Sequence, residues 1–333
     1  MALVQGTVGA TPSGTMPTGA SRGCGAIMTV RLGLVGLGQI ARSQHLPAIA
    51  ATPGVELAAV ASPGAQLDGV PCYPDIETMI ASEPDLAAVT LCTPPPGRFD
   101  QARAALAAGK HLMLEKPPCA TLSEAHALRE MAAAAGLSLF ATWHSRRAAA
   151  VESARALLAS RTLRRVEIVW REDVRRWHPG QEWVWQPGGL GVFDPGINAL
   201  SIVTYILPQP VFVRAADLWV PTNRQTPIAA RLTLATADGT PVTADLDWRA
   251  TGEEAWEISI DTDDGRAVLA DGGSRLIWNE EVVAEGNDRE YQWLYADFAG
   301  LINRRGSDAD MAPLTLVADA LLMGRHHASD PFQ

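Results

Sequence analysis

The chain has 333 residues, 47% of them hydrophobic and 19% charged, with a formal net charge of −10. That is long enough for two cores, and too acidic for a nucleic-acid or anionic-membrane partner, either of which needs a basic face. No apolar run approaches the roughly 18 residues that would span a bilayer, and the four scattered cysteines (Cys24, Cys72, Cys92, Cys119) suit reduced thiols in a cytoplasm and form no metal site.

Residues 1–27 are rich in Gly, Thr, Ala, Ser and Pro, with Arg22 as the single charge, and lack the charged start and apolar stretch of a signal peptide. They read as a disordered extension, and Met28, directly before the first strand pattern, is a candidate start. Strand and helix then alternate: a buried strand in TVRLGLVGLG (29–38), a helix in QIARSQHLPAIAAT (39–52), strands Val55–Ser62 and Leu86–Cys92, a helix Phe99–Ala108 and a strand Lys110–Leu114. Thr121 and Glu124 form a capping box for a helix running to Ala135, and a strand Leu137–Thr142 follows. This alternation predicts a parallel, doubly wound sheet over residues 28–145 in an α/β protein, and the glycine loop GLVGLG (33–38) at the end of its first strand makes it a Rossmann dinucleotide-binding domain.

Over residues 146–333 the texture changes. Helices are expected at Ala148–Ser160 and Pro195–Ile206, with a strand Arg165–Glu172 and a Trp/Pro/Gly-rich loop between them. Strand-like runs then follow at Val211–Val220, Ile228–Thr236, Val242–Trp248, Trp256–Thr262, Ala267–Ala270 and Arg275–Asn279, and helices at Arg289–Ile302 and Leu314–Gly324. That is an α+β domain with a large, mostly antiparallel open sheet, suited to substrate binding and oligomerisation.

GLVGLGQIA (33–41) carries G-x-G-x-x-A at Gly36, Gly38 and Ala41, after a strand and opening a helix. Gly36 permits the tight turn, Gly38 lets a pyrophosphate approach the helix N-terminus, and Ala41 permits close packing. The dinucleotide is expected to touch Gly36, Gly38, Gln39 and Ile40 here, Ser62 after the second strand, Thr93 and Pro94 after the third, and Glu115 and Lys116 after the fourth. NAD-selective sites end the second strand in Asp or Glu, whereas this one ends Ala61-Ser62-Pro63-Gly64. Ser62 does not repel a 2′-phosphate, so NADP is allowed and NAD stays open, with the balance tipped to NADP.

Of 27 cationic side chains only Lys110 and Lys116 are lysines. Lysine, unlike arginine, is a compact ammonium whose pKa burial can tune. Lys116 lies just past a strand end, at the edge where open α/β sheets hold ligands, which makes it a catalytic candidate; a plain surface charge is the alternative. In GGLGVFDPGINAL (188–200), Asp194, Pro195 and Gly196 open a helix with Asn198 one turn on. Asp at the N-cap with Pro at N1 is a good helix start in itself, and the same geometry puts Asp194 and Asn198 on one face, toward a cleft. His144 in TWHSR ends the last strand of the first half and is a candidate substrate contact. Trp177 and Trp256 are candidate pocket walls, since indole faces suit the apolar side of a sugar ring.

GLVGLGQIA, EKPP and GGLGVFDPGIN resemble, in order and from about residue 28 to the end, the glucose–fructose oxidoreductase/inositol dehydrogenase (Gfo/Idh/MocA) family. Within it, TWHSR, EDVRRWHPGQEW and GVFDPGINALSI are most similar to the bacterial enzymes that oxidise L-arabinose or D-galactose at carbon 1. The resemblance implies NAD(P)-dependent oxidation of a cyclic aldose to its lactone, a sugar site lined by Lys116, His144, Asp194 and Asn198, and a homodimer or homotetramer. Many members carry histidine as acid/base where this chain has Asn198, which leaves base duty to Asp194 or Lys116. NADP-preferring relatives tend to carry arginine where this chain has Pro63. The alternatives are a ring-alcohol dehydrogenase of the inositol type and a non-catalytic sugar sensor on the same fold.

Overall fold

The computed structural model describes residues 29–333, so the expectation for residues 1–27 lies outside the described residues. Six strands form the first sheet: β1 (Val30–Val35), β2 (Val55–Ala61), β3 (Cys72–Tyr73), β4 (Ala88–Leu91), β5 (His111–Glu115) and β6 (Leu139–Thr142). They are all parallel, in the order β3-β2-β1-β4-β5-β6. β4 and β6 are buried at every position, as in a sheet covered on both faces. The covering helices are α1 (Leu46–Ala51), α2 (Ile76–Ser82), α3 (Arg98–Ala107) and α4 (Leu122–Ala135). The order reverses beside β1, and the crevice there opens at the strands' carboxyl ends.

The helix expected over 39–52 is broken. Leu46 N–H bonds Ala41 C=O, five residues back, so residues 41–45 form a π-turn ahead of α1. The wider turn leaves His45 fully buried under the cofactor loop. The capping box of α4 is present: Glu124 N–H donates to Thr121 Oγ1, and the Glu124 carboxylate accepts from Thr121 N–H. β3 and α2 escape the sequence pattern, although Asp75 caps α2 by accepting from Thr78 N–H.

Nine strands form the second sheet: β7 (Leu163–Arg171), β8 (Val211–Pro221), β9 (Ala229–Thr236), β10 (Pro241–Asp247), β11 (Ala255–Thr262), β12 (Arg266–Ala270), β13 (Arg275–Trp278), β14 (Glu281–Glu285) and β15 (Gly324–Ser329). Their order is β14-β13-β12-β11-β7-β10-β9-β8-β15, and all neighbours are antiparallel except β7/β10 and β8/β15. One face packs on α5 (Val151–Leu158) and α7 (Phe193–Ile206); the four-residue α6 (Val174–Trp177) lies in the connecting loop. α9 (Ala312–Met323) finishes that helical layer, and α8 (Glu290–Arg304) precedes it in the chain. β14 and β15 are unexpected. β15 has the sequence GRHHAS, without the apolar alternation that marks a half-buried strand.

α8 follows the second sheet in sequence but packs on the first. Tyr291, Leu294, Tyr295, Phe298 and Leu301 bury against Leu32, Leu34, Ala48 and Phe140. Just beyond it, Asp308 exchanges backbone hydrogen bonds with Leu139 and Ala141 along β6. The two layers therefore share the residues that close the crevice. No helix among the described residues is long and apolar enough to cross a membrane.

Candidate active site

The strand ends of the first sheet and the loops of the second enclose a cavity of about 940 Å³. At its cofactor end, Gly36 has φ 89°, and a Cβ there would lie 2.9 Å from the Thr93 backbone nitrogen, so only glycine fits. A Cβ on Gly38 would meet nothing within 4 Å, which is the open approach to the backbone that a pyrophosphate needs. Gly38, Gln39, Ile40, Thr93, Pro94, Glu115 and Lys116 all line the cavity. Ser62 does not; it follows β2 and donates its N–H to Tyr73 C=O at 2.9 Å. These residues fit a dinucleotide whose nicotinamide end enters the cavity.

At the other end Lys116 Nζ lies 3.1 Å from Asp194 Oδ2 and 3.1 Å from Asp194 C=O. Asp194 is not the N-cap expected from its DPG context. α7 starts at Phe193, and Val192 holds the N-cap position without a side-chain cap. Backbone bonds set that start instead: Val192 N–H donates to Pro227 C=O at 2.7 Å, and Gly191, with φ 54°, lies against the same carbonyl. The Asp194 carboxylate is thereby free to meet Lys116 while being only 2% exposed. Asn198, one turn on, lines the same cavity.

Arg98 at the start of α3 is fully enclosed and anchors this geometry. Its guanidinium donates to Thr93 C=O, through Nε at 2.9 Å and also through an Nη, and to Glu115 C=O and Pro117 C=O. Burial lowers its pKa, but guanidinium remains charged. The carboxylate of Glu115, expected at the cofactor, accepts from Tyr291 OH at 2.7 Å and lies 3.4 Å from His45 Nε2. Burial alone would raise the Glu115 carboxyl; the hydrogen bond and charge of His45 outweigh that and hold it at about 2. Burial likewise opposes charge on His45, but Cys92, Tyr295 and Glu115 raise it well above the ordinary histidine value.

His144 lines the cavity with Nδ1 2.5 Å from Glu290 Oε2 and its ring stacked on Tyr291. Burial works against its charge, and the Glu290 carboxylate more than reverses this and raises its pKa. Trp177 and Trp256 meet edge to face at 5.7 Å and both line the cavity. Trp177 is 41% exposed at the mouth.

Residues 30–142 match the Gfo/Idh/MocA oxidoreductase family, described as having an NAD-binding Rossmann fold. Over 307 residues, 91% of this chain and 98% of the relative, the chain is 46% identical to galactose 1-dehydrogenase of Pseudomonas fluorescens. The chain belongs to the Gfo/Idh/MocA family. A solved D-galactose-1-dehydrogenase from Rhizobium etli matches with a TM-score of 0.89 and 50% identity, covering 92% of this chain and 98% of that one. A 3-ketoreductase from Actinomadura kijaniata, solved with NADP, matches at 18% identity and a TM-score of 0.78, covering 90% and 99% of the two chains, and shares the fold alone. The expected family and the two-sheet α/β fold are thus confirmed, and this Gfo/Idh/MocA protein is an oxidoreductase with a nicotinamide-dinucleotide site.

Three residues of this Gfo/Idh/MocA site are absent from the sequence expectations. His178 Nε2 lies 3.5 Å from Asp194 Oδ2. Glu172 lines the cavity and accepts from the indoles of Trp248 at 3.1 Å and Trp256 at 3.0 Å. Its carboxyl is raised by burial, which outweighs those hydrogen bonds. Arg98 is the third. His178 and Glu172 both lie in EDVRRWHPGQEW, the stretch that carries the resemblance, which is the signal that could have found them; Arg98 carries no sequence mark.

Proposed function

We propose that the protein is an NAD(P)-dependent aldose 1-dehydrogenase, oxidising D-galactose, and L-arabinose of the same ring configuration, at the anomeric carbon to the lactone. The observation that carries this is the Lys116–Asp194 contact at 3.1 Å, set in a cavity between the dinucleotide loops and the Trp177/Trp256 wall. The nearly full-length likeness to galactose 1-dehydrogenases supports the substrate class.

A bound nicotinamide supplies the hydride acceptor. Lys116 donates to the C1 oxygen and stabilises the charge that develops there. Asp194 takes the hydroxyl proton. Asn198, which cannot carry a proton at neutral pH, bonds the C1 or ring oxygen, and His144 and Glu172 bond further hydroxyls. The anomeric hydroxyl is more acidic than an ordinary alcohol, so a carboxylate is a sufficient base. Trp177 and Trp256 cover the apolar face of the ring. Ser62, in place of an acidic residue, accepts a 2′-phosphate, so NADP⁺ serves at least as well as NAD⁺. The open face of the nine-stranded sheet pairs copies of the chain, which light scattering would register as a dimer or tetramer.

Reduced-nicotinamide absorbance tests the reading with D-galactose, L-arabinose, D-fucose, D-xylose, D-glucose and myo-inositol, each with NADP⁺ and NAD⁺. Turnover on the galactose/arabinose pair is expected. Turnover on myo-inositol alone moves the reaction to a ring alcohol, and binding without turnover makes the protein a sensor.

A further inference from the structure

Asp194 is a buried base. Its side chain is 3% exposed, and the Lys116 side chain, at 14%, covers the same oxygen. A proton delivered there needs a way out before the next turnover, since a protonated Asp194 cannot serve again. His178 is the second side chain that stands against that oxygen, beside Lys116. Its Nε2 is 3.5 Å from Asp194 Oδ2, a small ring movement from a hydrogen bond, and its side chain is 16% exposed, so it is the wetter partner.

Both ring nitrogens of His178 face oxygens, Nδ1 toward Gln181 Oε1 at 3.4 Å and Nε2 toward Asp194 Oδ2 at 3.5 Å. With the ring proton on Nδ1, donated to the Gln181 carboxamide oxygen, Nε2 is the base that a protonated Asp194 meets. Trp248 packs on the ring at 5.0 Å and fixes its plane. The charged groups near it are Asp194 on α7, Lys116 after β5 and Glu172 at the end of β7. Burial lowers the imidazole pKa and Lys116 lowers it further, against the pull of Asp194, so the ring is neutral at neutral pH.

We infer that His178 is the proton-relay residue of this site, taking from Asp194 the proton that the sugar hydroxyl releases and passing it to water at the cavity mouth. The inference rests on the dehydrogenase reading above. In the balanced step the C1–H bond breaks and its electron pair leaves with hydrogen as hydride to the nicotinamide, which is reduced. The O1–H bond breaks and its pair becomes the second bond of the lactone C=O. That proton moves to Asp194 Oδ2, then to His178 Nε2, and the Nδ1 or Nε2 proton of the resulting imidazolium is lost to solvent. Asp194 and His178 end each cycle as carboxylate and neutral imidazole.

The test uses whichever alcohol the wild-type protein oxidises, so that a shift from aldose to inositol overturns the substrate assignment while the relay is still scored. His178→Ala is expected to lose ~10²-fold in kcat, with a much smaller change in the KM of the dinucleotide. Added imidazole should restore kcat in a concentration-dependent way, a rescue that a packing defect would not show. His178→Gln, which keeps an amide beside Gln181 and most of the ring's volume, should show the same loss of kcat with Tm retained. The wild-type kcat should rise with pH through the lowered histidine pKa, because the acceptor must be neutral, and this acid limb should be absent from both variants. Wild-type kcat in either variant without added base overturns the relay. So does a loss that imidazole leaves untouched and that appears mainly as a raised sugar KM, which would make His178 a sugar contact.

Discussion

Lys116 can be judged by substitution because its ammonium has one clear partner. Lys116→Ala should lower kcat by ~10²-fold or more and change dinucleotide affinity far less, as steady-state rates and a fluorescence titration with the reduced dinucleotide would show. An unchanged kcat would remove Lys116 from the chemistry. Glu115 predicts a pH effect on stability rather than on rate. Its folded pKa is about 2 against an ordinary 4.5, so its contribution is complete above 4.5 and is lost as the pH falls toward 2. The folded pKa of His45 is raised from 6.5, so its contribution is complete below 6.5 and is lost as the pH rises through the folded value. The buried pair therefore stabilises most between those limits, on the order of 3 kcal/mol. Glu115→Gln should depress Tm most at roughly pH 5–6 and least in acid, where the wild-type carboxylate is itself protonated. Lys116 was legible because lysine is rare in this chain. His178 and Glu172 lay inside the EDVRRWHPGQEW stretch but, like Arg98, showed no role in isolation, since their meaning lies in what the fold brings beside them.

The elements that hold the site differ in how strictly they depend on their residues. Two glycines of the cofactor loop should behave in opposite ways. Gly36→Ala forces a side chain into positive φ and within 2.9 Å of Thr93, so lowered Tm is expected along with lost dinucleotide binding. Gly38→Ala meets no neighbour, so Tm should hold while the dinucleotide KM rises, because the new methyl faces the approach to the backbone. Equal effects in both variants would contradict the assignment. The capping box of α4 was readable because it is a local rule with fixed spacing, and Thr121→Ala should cost about 1 kcal/mol. The start of α7 was misplaced because a backbone turn sets it rather than an Asp cap: Phe193 and Asp194 N–H donate to Leu190 and Gly191 C=O, and only the Val192 N–H reaches a distant partner, Pro227. β15 likewise exists through pairing with β8, which no feature of GRHHAS announces.

At the scale of the molecule, alternation of strand and helix followed by a run of strands was enough to anticipate both sheets, because hydrophobic period is a property of each segment alone. Long-range closure was not legible. α8 returns to bury Tyr291 and Tyr295 beside His45 and Glu115, and it brings Glu290 to His144, so late residues complete a site whose motifs are early. The site is a joint product of both layers.

Arg98 gives that joint construction a kinetic meaning. One guanidinium bonds carbonyls on either side of Lys116 and the carbonyl of Thr93, so the Thr93 loop and the backbone carrying Lys116 are tied to one side chain. On the proposed function, a dinucleotide seated against Thr93 and Pro94 would also settle Lys116. Binding should then be ordered, dinucleotide before sugar, with each ligand raising the other's affinity by the same factor. Calorimetric titration of sugar with and without reduced dinucleotide measures that factor. Arg98→Lys, which can reach only some of those carbonyls at once, should bring it toward one while each ligand still binds alone.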